Sequence, residues 1–222
     1  MERQGRPSGS AAKSRSERRR EDTRRRLMKA TYEIIARRGL EGLVIQDITE
    51  AADVGYGSFY NHFSSKEAIV DAVIEAALAH SAALYGSVAS TGADRVETFA
   101  MELRSCLELS RIDPAWGWFI IRTMLSGQQI RQAMAERLKR SIDGGIAAGV
   151  FAVEDAEMAR HTVGGLLMLG TVKIVNDEAG PDYPRRVAET ALRLLGVPGD
   201  RIEGALARPM PDMVATAFLE AG

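Results

Sequence analysis

The sequence predicts an all-α protein, and three observations carry that expectation. Apolar residues recur three or four positions apart along nearly the whole chain, the spacing that gives a helix one buried face. No stretch shows sustained period-two alternation, the mark of a half-buried strand. Glycine and proline interrupt the pattern at intervals of helical length: Gly39, Asp113-Pro114, Gly127, Gly149, Gly180-Pro181 and Gly196-Val197-Pro198. With 222 residues, 45% of them hydrophobic, the chain can bury a sizeable core in one or two domains.

Each element has its own justification. Residues 1–16 are rich in Gly, Ser, Arg and Pro and are expected to form a disordered basic arm. A helix follows over about 18–38, with Leu27, Ala30 or Thr31, and Ile34 on one stripe, and Gly39 stops it. A short helix is expected from Gln46 to Ala52, with Ile48 and Ala52 on its buried face. Asp53-Val54-Gly55 turns the chain, and Tyr56–Phe63 forms a second short helix whose outer side is too polar for ordinary core. Ser64 or Ser65 caps a long helix running to about residue 87, with Glu67 suited to its N-terminal dipole. Further helices are expected at about 93–110, 114–125, 127–149, 154–178 and 184–195, and a terminal one at Met213–Glu220.

Helix, tight turn and helix over residues 46–63 make a helix-turn-helix, whose second helix is shaped to enter the major groove of DNA. Charge is arranged to match. Net charge is −1, but residues 1–30 hold eleven Lys/Arg against four Asp/Glu, leaving a net −8 on the other 192 residues. A basic arm on an acidic body suits a polyanionic partner. The single cysteine, Cys106, excludes an internal disulfide and a multi-cysteine metal site. No metal or cofactor is expected. The arginine-rich start has no following apolar stretch, and the longest apolar run, Val163–Val172, falls far short of the roughly 20 residues that span a membrane. A cytoplasmic protein with no membrane partner is the expectation.

Thr31 through Gly39, Ile48-Thr49, Phe59-Tyr60-Asn61-His62-Phe63 and Ser65-Lys66-Glu67-Ala68 together resemble the DNA-binding segment of TetR/AcrR-family transcriptional regulators. The resemblance implies a three-helix DNA-binding domain over residues 17–64 and a larger helical regulatory and dimerisation domain over 65–222. It also implies a homodimeric repressor that binds a palindromic double-stranded operator and is released by a small-molecule effector. Two departures stand out. Asp53 occupies the place where a glycine commonly ends the first helix of the pair, and Gly55 replaces the usual Ser/Thr cap of the second.

Residue chemistry assigns roles within that segment. Tyr60 and Lys66 are candidate phosphate contacts, a phenol donor and an ammonium at a helix start. Tyr56, Ser58 and Asn61 are the candidate base readers, with Gln46 assisting, since Asn pairs with adenine and Tyr packs on a thymine methyl. Gly57 and His62 complete the DNA-facing set, and Arg24 and Arg25 can reach phosphates from the first helix. For His62 a metal or catalytic role is disfavoured, because no second histidine or carboxylate lies at ligand spacing. Phe59 and Phe63 read as core.

In the larger region, Met101, Trp116, Trp118, Phe119, Arg122, His161 and Met168 are candidates for an effector site, set against the plain alternative that Met and aromatics at helical spacing are core. Gly164, Leu167 and Val172 on one helix and Val187, Ala191 and Leu194 on the next are candidates for a four-helix dimer interface, set against packing within one protomer. Two rival functions remain at this stage. One is a non-specific nucleoid-type DNA binder using only the basic arm. The other is a helical enzyme, against which stands the lack of a phosphate loop, paired carboxylates or a Ser/His/Asp set.

Overall fold

A computed structural model describes residues 14–89 and 94–210; among them ten α-helices account for the regular structure. The first, α1 (Arg15–Arg38), starts three residues earlier than the apolar pattern indicates. Ser14 and Glu17 form a reciprocal capping box that adds a turn to the helix ahead of its first buried residue. The last residues assigned to the basic arm therefore belong to α1. Leu27, Thr31, Ile34 and Ile35 form its buried stripe, and Gly39, at φ +80°, ends it.

Two short helices follow, α2 (Ile45–Ala51) and α3 (Tyr56–Phe59). The segment expected to be helical through Phe63 is regular only to Phe59. Its next turn tightens, with Asn61 N–H donating to Ser58 O and His62 N–H to Phe59 O. The long α4 (Lys66–Ala89) is capped by Ser65, whose hydroxyl accepts from the Ala68 N–H at 3.2 Å. Then come α5 (Arg95–Ile112), α6 (Pro114–Ser126), α7 (Gln128–Ala147), α8 (Ala156–Val175), α9 (Tyr183–Leu194) and α10 (Gly199–Ala207). The expected Met213–Glu220 helix lies outside the described residues. By contrast, α10 was not anticipated, although Ile202, Ala205 and Leu206 behind Pro198-Gly199 carry its buried face.

Two main cores hold these helices. The first joins α1–α4 to Leu109, Trp116, Phe119 and Ile130 of the helices behind them. The second is built by α5, α7, α8, α9 and α10 around Phe99, Leu103, Ile142, Phe151, Val163 and Leu192. Gly145 is fixed by contact: a Cβ there would lie 2.0 Å from the Phe151 ring.

Asp113 sits where the two regions meet. It ends α5 and caps α6, its Oδ1 accepting from the Trp116 N–H at 3.1 Å. Its Oδ2 accepts from the Tyr32 hydroxyl of α1 at 3.2 Å. One carboxylate thus ties α1 to α6. The Tyr32 phenol is held well above the usual tyrosine range, first by burial and then by the Asp113 charge.

Candidate nucleic-acid interface

The turn between α2 and α3 depends on Asp53, which adopts the left-handed conformation at φ +50°. A short polar side chain tolerates that region better than most. Val54 N–H then donates to Thr49 O at 2.9 Å and closes the turn. Gly55 precedes α3 with extended backbone and makes no side-chain cap.

On α3, Phe59 is fully buried and fixes the helix on the core, while Phe63 packs against it at 5.9 Å between ring centroids. That anchoring turns Tyr56 and Tyr60 outward, with about half of each exposed. Their hydroxyls lie 3.4 Å apart, one helical turn from each other. Asn61 and Gly57 are exposed beside them, Ser58 is half-buried, and a Cβ at Gly57 would meet nothing within 4 Å. Gln46 is exposed on α2, its amide donating to Glu50 at 2.8 Å. Lys66 opens α4, at the positive end of that helix's dipole.

The α1 arginines do more than the sequence indicates. Arg20 donates to the Asn61 carbonyl at 3.4 Å, Arg26 donates to the Asp53 carbonyl at 3.2 Å, and the Arg24 guanidinium lies 4.6 Å from the Phe63 ring centroid. Three arginines within two turns of α1 therefore brace the helix-turn-helix. Arg25 instead pairs with Asp22 at 2.7 Å on an exposed face. Arg19, Arg20, Thr23, Asn61 and His62 line an open groove of about 460 Å³. Within it, the His62 Nδ1 is buried without a hydrogen-bond partner among the described residues. Its imidazole is held below the usual histidine range, first by burial and then by the Arg20 and Arg24 charges.

The residues expected to form an effector site fall into separate groups. Met101, Trp116 and Phe119 are buried, and the last two are core of the α1–α4–α6 junction. Trp116 meets the His80 ring edge-on at 5.4 Å and stacks on Phe119 at 6.2 Å, while Phe119 packs on Tyr32 at 5.1 Å. The face of α6 that carries them packs against α1. Trp118 and Arg122 form a half-buried cation–π pair at 5.2 Å. His161 is exposed on α8, far along that helix from half-buried Met168.

The dimer candidates also divide. Val187 and Ala191 are buried inside the protomer, because α9 packs that face against α5. Gly164, Leu167 and Val172 are half-buried, with Leu138 of α7 3.6 Å from where a Gly164 Cβ would stand. Leu194 is 41% exposed, and on α8 Met158 and Leu169 are 60% and 70% exposed. Among the described residues no cluster of His, Cys, Asp or Glu could hold a metal ion, and no helix is long and apolar enough to cross a membrane.

Comparison with known proteins accounts for both halves. Residues 27–73 match the family model for bacterial regulatory proteins of the tetR family, and residues 94–208 match that for the tetracyclin repressor-like C-terminal domain. The chain is 46% identical over 52 residues to the HTH-type transcriptional repressor DhaR of Mycobacterium sp. (strain GP1), covering 23% of this chain and 26% of that protein. It is 34% identical over 71 residues to the HTH-type transcriptional repressor KstR2 of Rhodococcus jostii (strain RHA1), covering 32% and 35%. These matches thus span about a quarter to a third of the length of the curated relatives. Among solved structures, RolR in complex with resorcinol superposes with a TM-score of 0.64 at 29% identity, covering 89% of this chain and 100% of that one. A gamma-butyrolactone receptor shares the fold, with a TM-score of 0.67 at 20% identity over 85% of this chain and 94% of that one.

Proposed function

This chain belongs to the TetR family of bacterial regulatory proteins, and from that membership we propose that it is a ligand-responsive transcriptional repressor rather than an enzyme. It binds a palindromic operator as a homodimer and leaves it when a small molecule binds the helical body. The observation that carries the reading is the outward pair Tyr56 and Tyr60 beside exposed Asn61, on a turn that three α1 arginines brace.

In this reading α3 enters the major groove. Tyr56, Ser58 and Asn61 meet base edges, with Gln46 at the margin, while Tyr60 and Lys66 hold phosphates and set the register. Gly57 lets the backbone approach closely. His62 and the α1 arginines face the flanking backbone. The Arg25–Asp22 pair, being exposed, is worth at most about 1 kcal/mol and yields readily to a phosphate.

The dimer surface is the outer face of α8, with Met158, Gly165 and Leu169, continued by Leu194 of α9. Those exposed apolar side chains are the ones a two-fold partner would cover. The dimer sets its two α3 helices about 34–36 Å apart, one turn of DNA. An effector that prefers a different spacing lowers affinity by its preference for that state. The resorcinol-bound relative supports a small hydroxylated ring as the effector class.

Competition binding tests the reading. The protein should prefer the DNA upstream of its own coding sequence over random DNA by about a thousandfold at physiological salt. Lys66→Ala should weaken binding to every sequence and lower the salt slope by about 1, whereas Asn61→Ala should change which sites are chosen. Equal affinity for both DNAs would favour a non-specific binder, and normal binding by both variants would overturn the docking geometry.

A further inference from the structure

His62 is the polar group of the DNA-facing unit whose hydrogen bonding is least complete. It stands in the turn between α3 and α4, where its main-chain N–H donates to Phe59 O at 2.9 Å. Its half-buried imidazole lines the open groove of about 460 Å³ that the turn forms with α1. Nδ1 is buried there with no hydrogen-bond partner among the described residues. A neutral ring carries one proton, and without an acceptor at Nδ1 that proton is better placed on Nε2. Nδ1 is then a bare basic nitrogen withdrawn from water.

The rest of the groove is built of donors. Arg19 and Arg20 bring guanidinium groups and Asn61 a side-chain amide, while among the described residues no carboxylate lines it. Arg20 gives one N–H to the Asn61 carbonyl at 3.4 Å, and the Thr23 hydroxyl donates to the Arg19 carbonyl at 3.0 Å. Asp22, next to Thr23, turns instead to Arg25 at 2.7 Å. The charges that act on the imidazole come from α1, and both, Arg20 and Arg24, are positive. Asn61 and Phe63, its neighbours in the turn, carry none. Burial first, and then those two charges, hold the ring below the usual histidine range, so it is neutral at pH 7 in the free protein.

We propose that this groove seats one phosphate of the DNA backbone and that seating it draws a proton from solvent onto His62, so that the protein holds DNA more tightly as pH falls. The proposal rests on the docking reading above and adds a proton to it as a second, linked ligand. The phosphate reverses both conditions that keep the ring neutral. Its charge offsets Arg20 and Arg24, and its oxygens supply the acceptor that the ring lacks. A buffer acid releases the proton, the vacant ring nitrogen takes it, and imidazole becomes imidazolium hydrogen-bonded to a phosphate oxygen. No covalent bond forms or breaks at phosphorus. The bound ring therefore titrates at higher pH than the free one. Affinity is constant above the bound value, rises as pH falls through it, and levels off once the free ring is charged as well. One proton limits the slope to about tenfold per pH unit.

Fluorescence anisotropy on the full chain, from about pH 8 to about pH 5.5, tests it near the range where histidine titrates. Ionic strength is held fixed and the buffers are free of phosphate, because salt alone changes DNA affinity. The probes are a duplex from upstream of the protein's own coding sequence and a random duplex of the same length. Affinity should rise about tenfold over the range. His62→Gln, which keeps a donor but cannot titrate, should flatten the rise, whereas His80→Phe and His161→Gln should keep it. Ring NMR needs no change at His62 and carries the test if His62→Gln fails to fold. The chain has three histidines, and the signal that survives both His80→Phe and His161→Gln should titrate at higher pH with DNA than without. Affinity that ignores pH, an unaltered rise in folded His62→Gln, or a His62 signal that does not move upward on DNA would each overturn the proposal and leave the repressor standing. Failure of both duplexes to bind at any pH would remove the repressor reading itself, and the proposal with it.

Discussion

Replacing Tyr32 by phenylalanine isolates the link between the DNA-facing unit and the helical body. The substitution deletes one oxygen, the donor 3.2 Å from Asp113 Oδ2, and keeps the ring that packs on Phe119 at 5.1 Å. A hydrogen bond to a charged group contributes about 1.5–3 kcal/mol net. Asp113 is half-buried and keeps its bond to the Trp116 N–H, so part of the lost bond is recovered by water. The expected cost is about 1–2 kcal/mol, a fall of about 3–6 °C in melting temperature for a chain of this size. Urea unfolding at pH 7, run as a double-mutant cycle with Asp113→Asn, measures the pair alone, because Asn still caps α6. The sign of the pH dependence supplies an independent check. The folded phenol titrates above its unfolded value of about 10, so the unfolded chain ionises first. Stability is intact below pH 10 and is lost as pH rises beyond it. Tyr32→Phe should flatten that alkaline loss. A variant within about 0.3 kcal/mol of the parent, or an unchanged alkaline limb, would refute the assigned role.

Three other outcomes follow from contacts already described. His62 and His80 are both held below the usual histidine range, chiefly by burial, so the unfolded chain binds protons first as pH falls; urea midpoints should drop as pH falls below about 6.5, and His80→Phe should reduce that drop. Gly145→Ala forces a Cβ to within 2.0 Å of the Phe151 ring, itself 3% exposed and packed on Phe99; overpacking of about 2–3 kcal/mol outweighs the helix gain of about 1, and a urea midpoint equal to or above the parent's would contradict this. Leu169→Glu, at a 70% exposed position, should preserve the circular dichroism spectrum but weaken the proposed dimer at least about a hundredfold in sedimentation equilibrium, by bringing like charges together across its two-fold axis.

How far the sequence reaches depends on the range of the interaction concerned. Nine of the ten described helices follow from spacing and from Gly/Pro breaks, because those are local effects. The start of α1 was displaced because the Ser14–Glu17 box hides in an arginine-rich stretch with no apolar residue to mark it. The tyrosines of α3 were legible as exposed, since Phe59 and Phe63 fix the opposite side. What covers a helix face was not legible. Trp116 and Phe119 share a face of α6 whichever element packs there, and only the fold places α1 on it. The same holds for Val187 and Ala191, which α5 covers. The bracing role of Arg20 spans 41 residues and the Glu102–Ser141 contact spans 39, beyond the reach of any periodicity.

The first core bears on how such proteins diversify. Leu27, Ile34, Ile35, Ile48 and Phe59 are packed in one mass with Ile69 and Val73, and through them with Leu109, Trp116, Phe119 and Ile130. A division at residue 64 cuts through that mass rather than between two. The reading head is therefore not a cassette. Grafted onto a foreign body, it would arrive with one wall missing, unless Trp116 and Phe119 or residues of matching shape came with it. The proposed base readers Tyr56 and Asn61 are exposed and Ser58 is half-buried, and none of the three belongs to this core. Wholesale exchange of the head is constrained by the helix behind it.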